Sequence, residues 1–178
     1  PMLPVAALTQ AFDIPAQTVA LETAVASDTF AREGEVVREQ LRQGFLVGNL
    51  GFMIRYEDGS ELTELQTVFH LPNSPRWFRG VYNLHGLLVP VIDLASFWNL
   101  AESPANSSGM LLVLSRGADA TGVIIDGLPQ RLRWSDEHRV DLNVAPPQLQ
   151  PVLRDACLID GRLWLDLDCD SLLDNLEQ

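Results

Sequence analysis

Three histidines, two cysteines and a run of carboxylates near the C-terminus are the residues of this chain whose types could carry chemistry. His70, His85 and His138 would each need a nucleophile or a metal beside them, and Cys157 and Cys169 an activating neighbour. The spacing supplies neither. None of the histidines lies near a G-x-S-x-G elbow, and the cysteines, eleven residues apart, form no C-x-x-C pair and have no second pair, so no zinc or redox motif is indicated. They read as two reduced, partly buried thiols. Gly44, Gly48 and Gly51 do not make a G-x-G-x-x-G turn and precede a strand, which argues against a dinucleotide site.

The carboxylates come nearer to a recognisable pattern. Asp166, Asp168, Asp170 and Glu177 occupy positions 1, 3, 5 and 12 of a calcium loop, but Ser171 stands at position 6, where glycine makes the sharp turn. The plainer expectation is a strand followed by a helix: Leu165 and Leu167 point inward, Asp166 and Asp168 point to water, and Leu172, Leu173 and Leu176 face the core. His85 has two readings as well. It is either a turn residue with a solvated ring, or the partner of a carboxylate such as Glu61, which would favour the imidazolium and make the contact sensitive to pH near neutrality.

Composition narrows the function further. The 178 residues carry a net charge of −12, from 24 acidic and 12 basic side chains, so a phosphate backbone meets mostly repulsion and nucleic-acid binding is disfavoured. Every basic residue is arginine. Without lysine there is no Schiff-base chemistry and no lysine of a phosphate-binding loop. A chain of this length suits one domain that buries about 70% of its unfolded surface. No apolar stretch is long enough to span a bilayer, and the expectation is a soluble, cytoplasmic, non-enzymatic protein without metal or cofactor.

The elements that would position these residues are short. Residues 1–43 read as a helical extension, with Leu21 and Val25, then Val37 and Leu41, spaced by four, and Gly44 placed as a left-handed cap after LRQG. The main domain then starts at Gly44 or Phe45. From there apolar runs alternate with turn residues: FLV, LGFMI, MLLVLS, TGVIID, LPQRLRW after Gly127, and ACLID meeting RLWLDLD across Gly161. Ser60 is placed to cap a helical turn from Glu61. Pro72 and Pro75 bracket a turn at Asn73–Ser74, Trp77 to Leu84 forms a strand, and His85–Gly86 reverses the chain. Leu87 to Ile92 suits a strand buried on both faces, with Pro90 at a bulge or on an edge side. Residues 94–98 read as a short helix, Ala101 to Gly109 and Asp136 to Pro151 as loops, and Ser171 to Leu176 as a closing helix. Many short strands with glycine turns imply a β-barrel or sandwich.

The stretch from Leu71 to Leu94 resembles the signature of the CheW-like coupling domains of bacterial chemosensory systems: a Pro-containing turn, W-x-x-G-V-x-N-L-R-G and a V-P-V-I-D-L strand. Here these stand as Pro75, Trp77, Gly80-Val81-Tyr82-Asn83-Leu84-His85-Gly86 and Val89-Pro90-Val91-Ile92-Asp93-Leu94. TGVIIDGLPQRLRW and LIDGRLWLDLDCDSLL are similar to later parts of the same family, so the likeness covers about 44–176 and leaves out the extension. The resemblance implies a mainly β fold of two intertwined SH3-like β-barrels. It also implies an adaptor, without chemistry of its own, that joins a chemoreceptor cytoplasmic tip to the regulatory domain of a CheA-type histidine kinase at receptor arrays on the inner membrane. The extension and acidity are similar to the PilI-type variant of pilus-based twitching systems.

Two departures stand out. The family arginine of N-L-R-G is His85 here, and that arginine commonly meets a glutamate aligned with Glu61, so a shorter, titratable group replaces a permanent bidentate one. Gly59 replaces an apolar contact residue two positions before Glu61. The expected partner surface is Glu61, Gly80, Val81, Asn83, His85 and Gly86, acting through packing and register. A rival reading is a small all-β ligand-binding or hydrolytic domain with a cleft between its barrels.

Overall fold

A computed structural model of the chain describes residues 38–101, 109–116 and 119–177. The helical extension read over 1–43 lies outside them, apart from its last few residues. Ten strands and two short helices make up the described part: β1 (Gln40–Val47), β2 (Leu50–Ile54), β3 (Gly59–Glu64), β4 (Phe78–Leu84), β5 (Leu87–Ile92), α1 (Leu94–Phe97), β6 (Gly109–Arg116), β7 (Asp119–Trp134), β8 (Arg139–Val140), β9 (Leu153–Ile159), β10 (Arg162–Leu167) and α2 (Cys169–Leu176). The fold is mainly β, as expected.

One long strand joins two halves. The first part of β7, Asp119 to Asp126, pairs with β6, and the stretch from Gln130 to Trp134 pairs with β1. At Gly127, between them, φ is +68°, a value that favours glycine. LPQRLRW is therefore the continuation of TGVIID rather than a separate strand. On one side lie β3, β6, β5 and β4; on the other, β1, β2, β10, β9 and β8. These are two SH3-like subdomains that share β7.

The apolar runs have partners on both faces, which is why they alternate so weakly. Leu112 and Leu114 of β6 face a large central core with Phe45, Phe52, Leu165 and Leu172, while Leu111 and Val113 face a smaller cluster inside the first subdomain. Met53 of β2 points instead into the second subdomain, toward Leu132, Trp134 and Trp164. In the central core Phe52 stacks between Phe45 and Trp98, with ring centroids 5.9 and 5.5 Å away. Truncating such a ring to alanine typically costs about 3–5 kcal/mol.

Four local expectations are corrected. LRQG is not a helix end, because Gln40 to Val47 pairs with both β2 and β7, and Gly44 lies mid-strand. A Cβ at Gly44 would stand 2.4 Å from Leu132 Cδ1, so this glycine permits a close approach rather than a cap. No helical turn follows Ser60. The chain turns earlier, in a 3-10 turn over Tyr56–Asp58 braced by the Arg55–Asp58 ion pair, and Ser60 Oγ donates to the Val113 carbonyl as β3 pairs with β6. The 136–151 segment is irregular but not merely a surface loop, since Ala145 and Leu149 enter the central core from 3-10 turns. The last correction is the largest. Asp166 does not point to water: it is 0% exposed and accepts two bonds from Arg42, Nε at 3.0 Å and Nη2 at 3.1 Å.

Other readings hold. Residues Asp160 and Gly161, with φ of +50° and +81°, turn β9 into β10, and Asp168 Oδ1 accepts from Ser171 N to start α2. Strand followed by helix is thus the geometry of the acidic run. Ser74 Oγ donates to the Leu71 carbonyl and Asn73 takes φ +64°, closing the expected turn before β4.

Candidate partner-binding surface

His85 and Gly86 take φ of +53° and +89°, so both central residues of the β4–β5 turn are left-handed, the conformation that matches the twist of a two-residue hairpin. Asn83 Oδ1 accepts from Gly86 N at 2.8 Å and helps hold the turn, with Leu84 paired to Leu87. The left-handed backbone is unfavourable for a histidine, and its side chain gains a specific contact there. His85 Nε2 lies 2.8 Å from Glu61 Oε1, with the ring 77% and the carboxylate side chain 39% exposed. A bulge between Gly59 and Glu61 interrupts the β3–β6 register just at Glu61. The pairing read from the sequence is therefore present, on the surface.

The six expected residues divide into two groups. Glu61, Asn83, His85 and Gly86 meet at the hairpin tip. Gly80 and Val81 lie further back, where Phe69 and Val81 exchange backbone bonds of 2.8 and 2.9 Å. Gly80 is buried at φ +134°, and a Cβ on it would stand 2.2 Å from the Phe69 carbonyl oxygen, so its task is to let that strand crossing form.

What the sequence reading missed lies immediately after the turn. Leu87 and Leu88 are 52% and 62% exposed, so β5 is not buried on both faces. The reason is its pairing: β7 meets β5 only at Val91 and Ile92, so the first half of the strand has β4 alone as a neighbour, and Pro90 needs no bond on the open side. Leu87, Leu88 and Pro90, with Trp77, Leu173 and Leu176, line a groove of about 420 Å³, whose lining also includes Asp119 and Glu177. Trp77 is held by an edge contact to Phe97 at 5.0 Å. The one sequence signal for this groove was an apolar run longer than a strand with one buried face requires.

The groove offers little chemistry. No histidine, cysteine, serine or lysine lines it. Both thiols are buried elsewhere, and desolvation pushes Cys157 up to about 12 and Cys169 well above the usual thiol range, with nearby carboxylates adding to both shifts. His138 is used structurally, its Nδ1 accepting from Ser135 N at 2.9 Å. Among the described residues, no group of His, Cys, Asp or Glu side chains is arranged to hold a metal ion, and no helix is long and apolar enough to cross a membrane.

Comparison with known proteins places this geometry. The family profile of the CheW-like domain matches residues 43–177. The chain belongs to this family. Similar proteins include the chemotaxis protein CheW of Klebsiella aerogenes, 27% identical over 113 residues that make up 60% of this chain and 66% of that protein. Protein PilI of Pseudomonas aeruginosa is 28% identical over 92 residues, 52% of each chain. Of these two relatives the matched region thus spans between half and two thirds. The crystal structure of the scaffolding protein TtCheW from Thermoanaerobacter tengcongensis superposes with a TM-score of 0.63 at 15% identity, covering 73% of this chain and 84% of that one. The CheW-like fold accordingly carries the exposed hairpin tip and the groove on its first subdomain.

Proposed function

We propose that this chain is a non-enzymatic adaptor of a bacterial chemosensory pathway, joining a chemoreceptor cytoplasmic tip to the regulatory domain of a CheA-type histidine kinase. The observation that carries the reading is the family match across 43–177. The geometry supports it: the exposed Glu61–His85 contact and the apolar groove beside it form a surface suited to a protein partner, and the groove lacks a nucleophile and base. In this reading Glu61, Asn83, His85 and Gly86 meet the partner and Gly80 and Val81 support them. The coupling domain is 44–178, residues 1–43 are an appendage, and the protein works in the cytoplasm at receptor arrays.

The finer reading is control of twitching by type IV pili, supported by the likeness to PilI. Titration calorimetry of the full chain against a CheA-type regulatory domain and a receptor cytoplasmic fragment tests the adaptor role. Micromolar or tighter binding to both is expected. Absence of binding to either would remove the reading and favour a ligand-binding domain using the groove. Repeating the titrations with kinases of flagellar and pilus systems separates the two pathways.

A further inference from the structure

The β4–β5 hairpin forms one wall of the groove, yet for much of its length it is a two-stranded ribbon. β4 is bridged on its other edge only where Val81 meets Phe69, and β5 pairs with β7 only from Val91 onward. Between these points, from Tyr82 to Pro90, no third strand joins the ribbon among the described residues. Ribbons of two strands are marginally stable by themselves. This one is held from beneath, where Tyr82 and Leu84 pack on the cluster of Val91, Leu111 and Val113 and where Val89 is buried. At its tip, Asn83, His85, Gly86, Leu87 and Leu88 are exposed, and a Cβ on Gly86 would meet nothing within 4 Å.

One contact ties that tip to a different strand. His85 Nε2 reaches Glu61 Oε1 of β3 at 2.8 Å, while Leu87 and Leu88, the next exposed side chains, line the groove together with Leu173 and Leu176 of α2. We propose that the hairpin is a strap whose position sets the width of the groove, and that the Glu61–His85 contact is its latch. Releasing the latch lets the ribbon open locally about the Phe69–Val81 crossing, where Gly80 takes a backbone conformation that side chains rarely adopt. The latch and the groove are then one device: a partner that engages Glu61 or His85 alters the wall against which a second partner packs. As a regulatory device this rests on the adaptor reading. The mechanical part does not.

Deuterium exchange of the free full-length chain, followed by mass spectrometry, tests the latch without any partner. Glu61→Ala leaves the left-handed turn untouched and removes the carboxylate. Uptake over residues 82–90 is expected to quicken by about two- to fivefold, the range that loss of an exposed ion pair allows. Uptake over β10 should be unchanged. His85→Arg, which restores a longer cation, should keep the slow rate, and Glu61→Ala combined with His85→Ala should exchange no faster than Glu61→Ala alone. Unchanged uptake over 82–90 in Glu61→Ala would overturn the latch. So would equal quickening in β10, which would mark a global loss of stability. Because no partner is present, failure here leaves the adaptor reading standing, and failure of the calorimetric titrations leaves the latch standing.

Discussion

Each subdomain contains a contact between a basic side chain and a carboxylate on strands that are not neighbours, and the two contacts live in opposite environments. In the second subdomain Arg42 of β1 reaches across β2 to Asp166 of β10, and both side chains are buried. In the first, His85 reaches Glu61 on the open surface. The buried pair is bidentate, and the Arg42 guanidinium also donates to the Leu41 carbonyl and to Gln40 Oε1, with its plane 5.7 Å from the Trp134 ring. Arg139 covers the same ring at 5.2 Å and pairs with Asp155. Removing one member of such a set leaves a buried charge, whereas removing one member of the exposed pair leaves a group that water can satisfy. The comparison separates a contact that specifies strand packing from one that is available to a partner.

The sharpest way to break this distinction is to truncate one member of the buried pair. Arg42→Met should destabilise the protein by about 3–5 kcal/mol in urea unfolding, because Asp166 loses its only printed side-chain partner in a dry site. Arg42→Met with Asp166→Leu should recover much of that loss, since neither charge is then buried alone. A double variant as unstable as the single one would mean that the pair holds the strands through geometry that apolar packing cannot replace.

A smaller effect follows from protonation. Burial raises Asp166 above its usual 3.8, and the hydrogen bond and charge of Arg42 offset that only in part. A carboxyl group that holds its proton more tightly in the folded state favours folding as the pH falls from neutrality through its raised folded value toward 3.8. Its contribution to stability is therefore lost as the pH rises through that window. Asp166→Asn should remove this part of the slope, which is read by comparing unfolding free energies of both proteins from pH 7.5 down to pH 4.5. An unchanged slope would place the effect on another group.

The exposed pair should behave differently. His85→Asp sets a like charge against Glu61 and is expected to lower the midpoint of thermal unfolding by no more than about 2 °C, while weakening partner binding about tenfold in calorimetry. A large drop in the midpoint would erase the contrast between the two subdomains. The thiols provide the smallest readout. With Cys157 pushed up to about 12 and Cys169 raised as well, neither should react with an aromatic disulfide reagent at pH 8 in the native protein, and both should react in urea.

Much of the hairpin surface was legible because its determinants are local. His85–Gly86 and Asp160–Gly161 announce turns through the residues that occupy them, and Asp168 announces the start of α2 by standing three residues before Ser171 N. Even the Glu61–His85 pairing was accessible, although through a family resemblance rather than spacing. Gly44 and Asp166 were misread for one common reason. Gly44 looked like a helix cap and Asp166 like the solvent side of a strand, since each was judged by its own neighbours in the chain. Leu87 and Leu88 were misread in the same way, as apolar and therefore covered.

The amino-acid order by itself determined the strand-rich character, the positions of the tight turns, the short closing helix and the absence of lysine chemistry, because these depend on side-chain type and on backbone preferences over a few residues. Tertiary structure alone decided which faces are dry. It set β10 within reach of Arg42 across β2, so that Asp166 is buried, and it began the β5–β7 pairing only at Val91, so that two leucines remain exposed to shape a groove. Burial is a property of strands brought together from distant parts of the chain, and no local pattern encodes where such a pairing begins or ends.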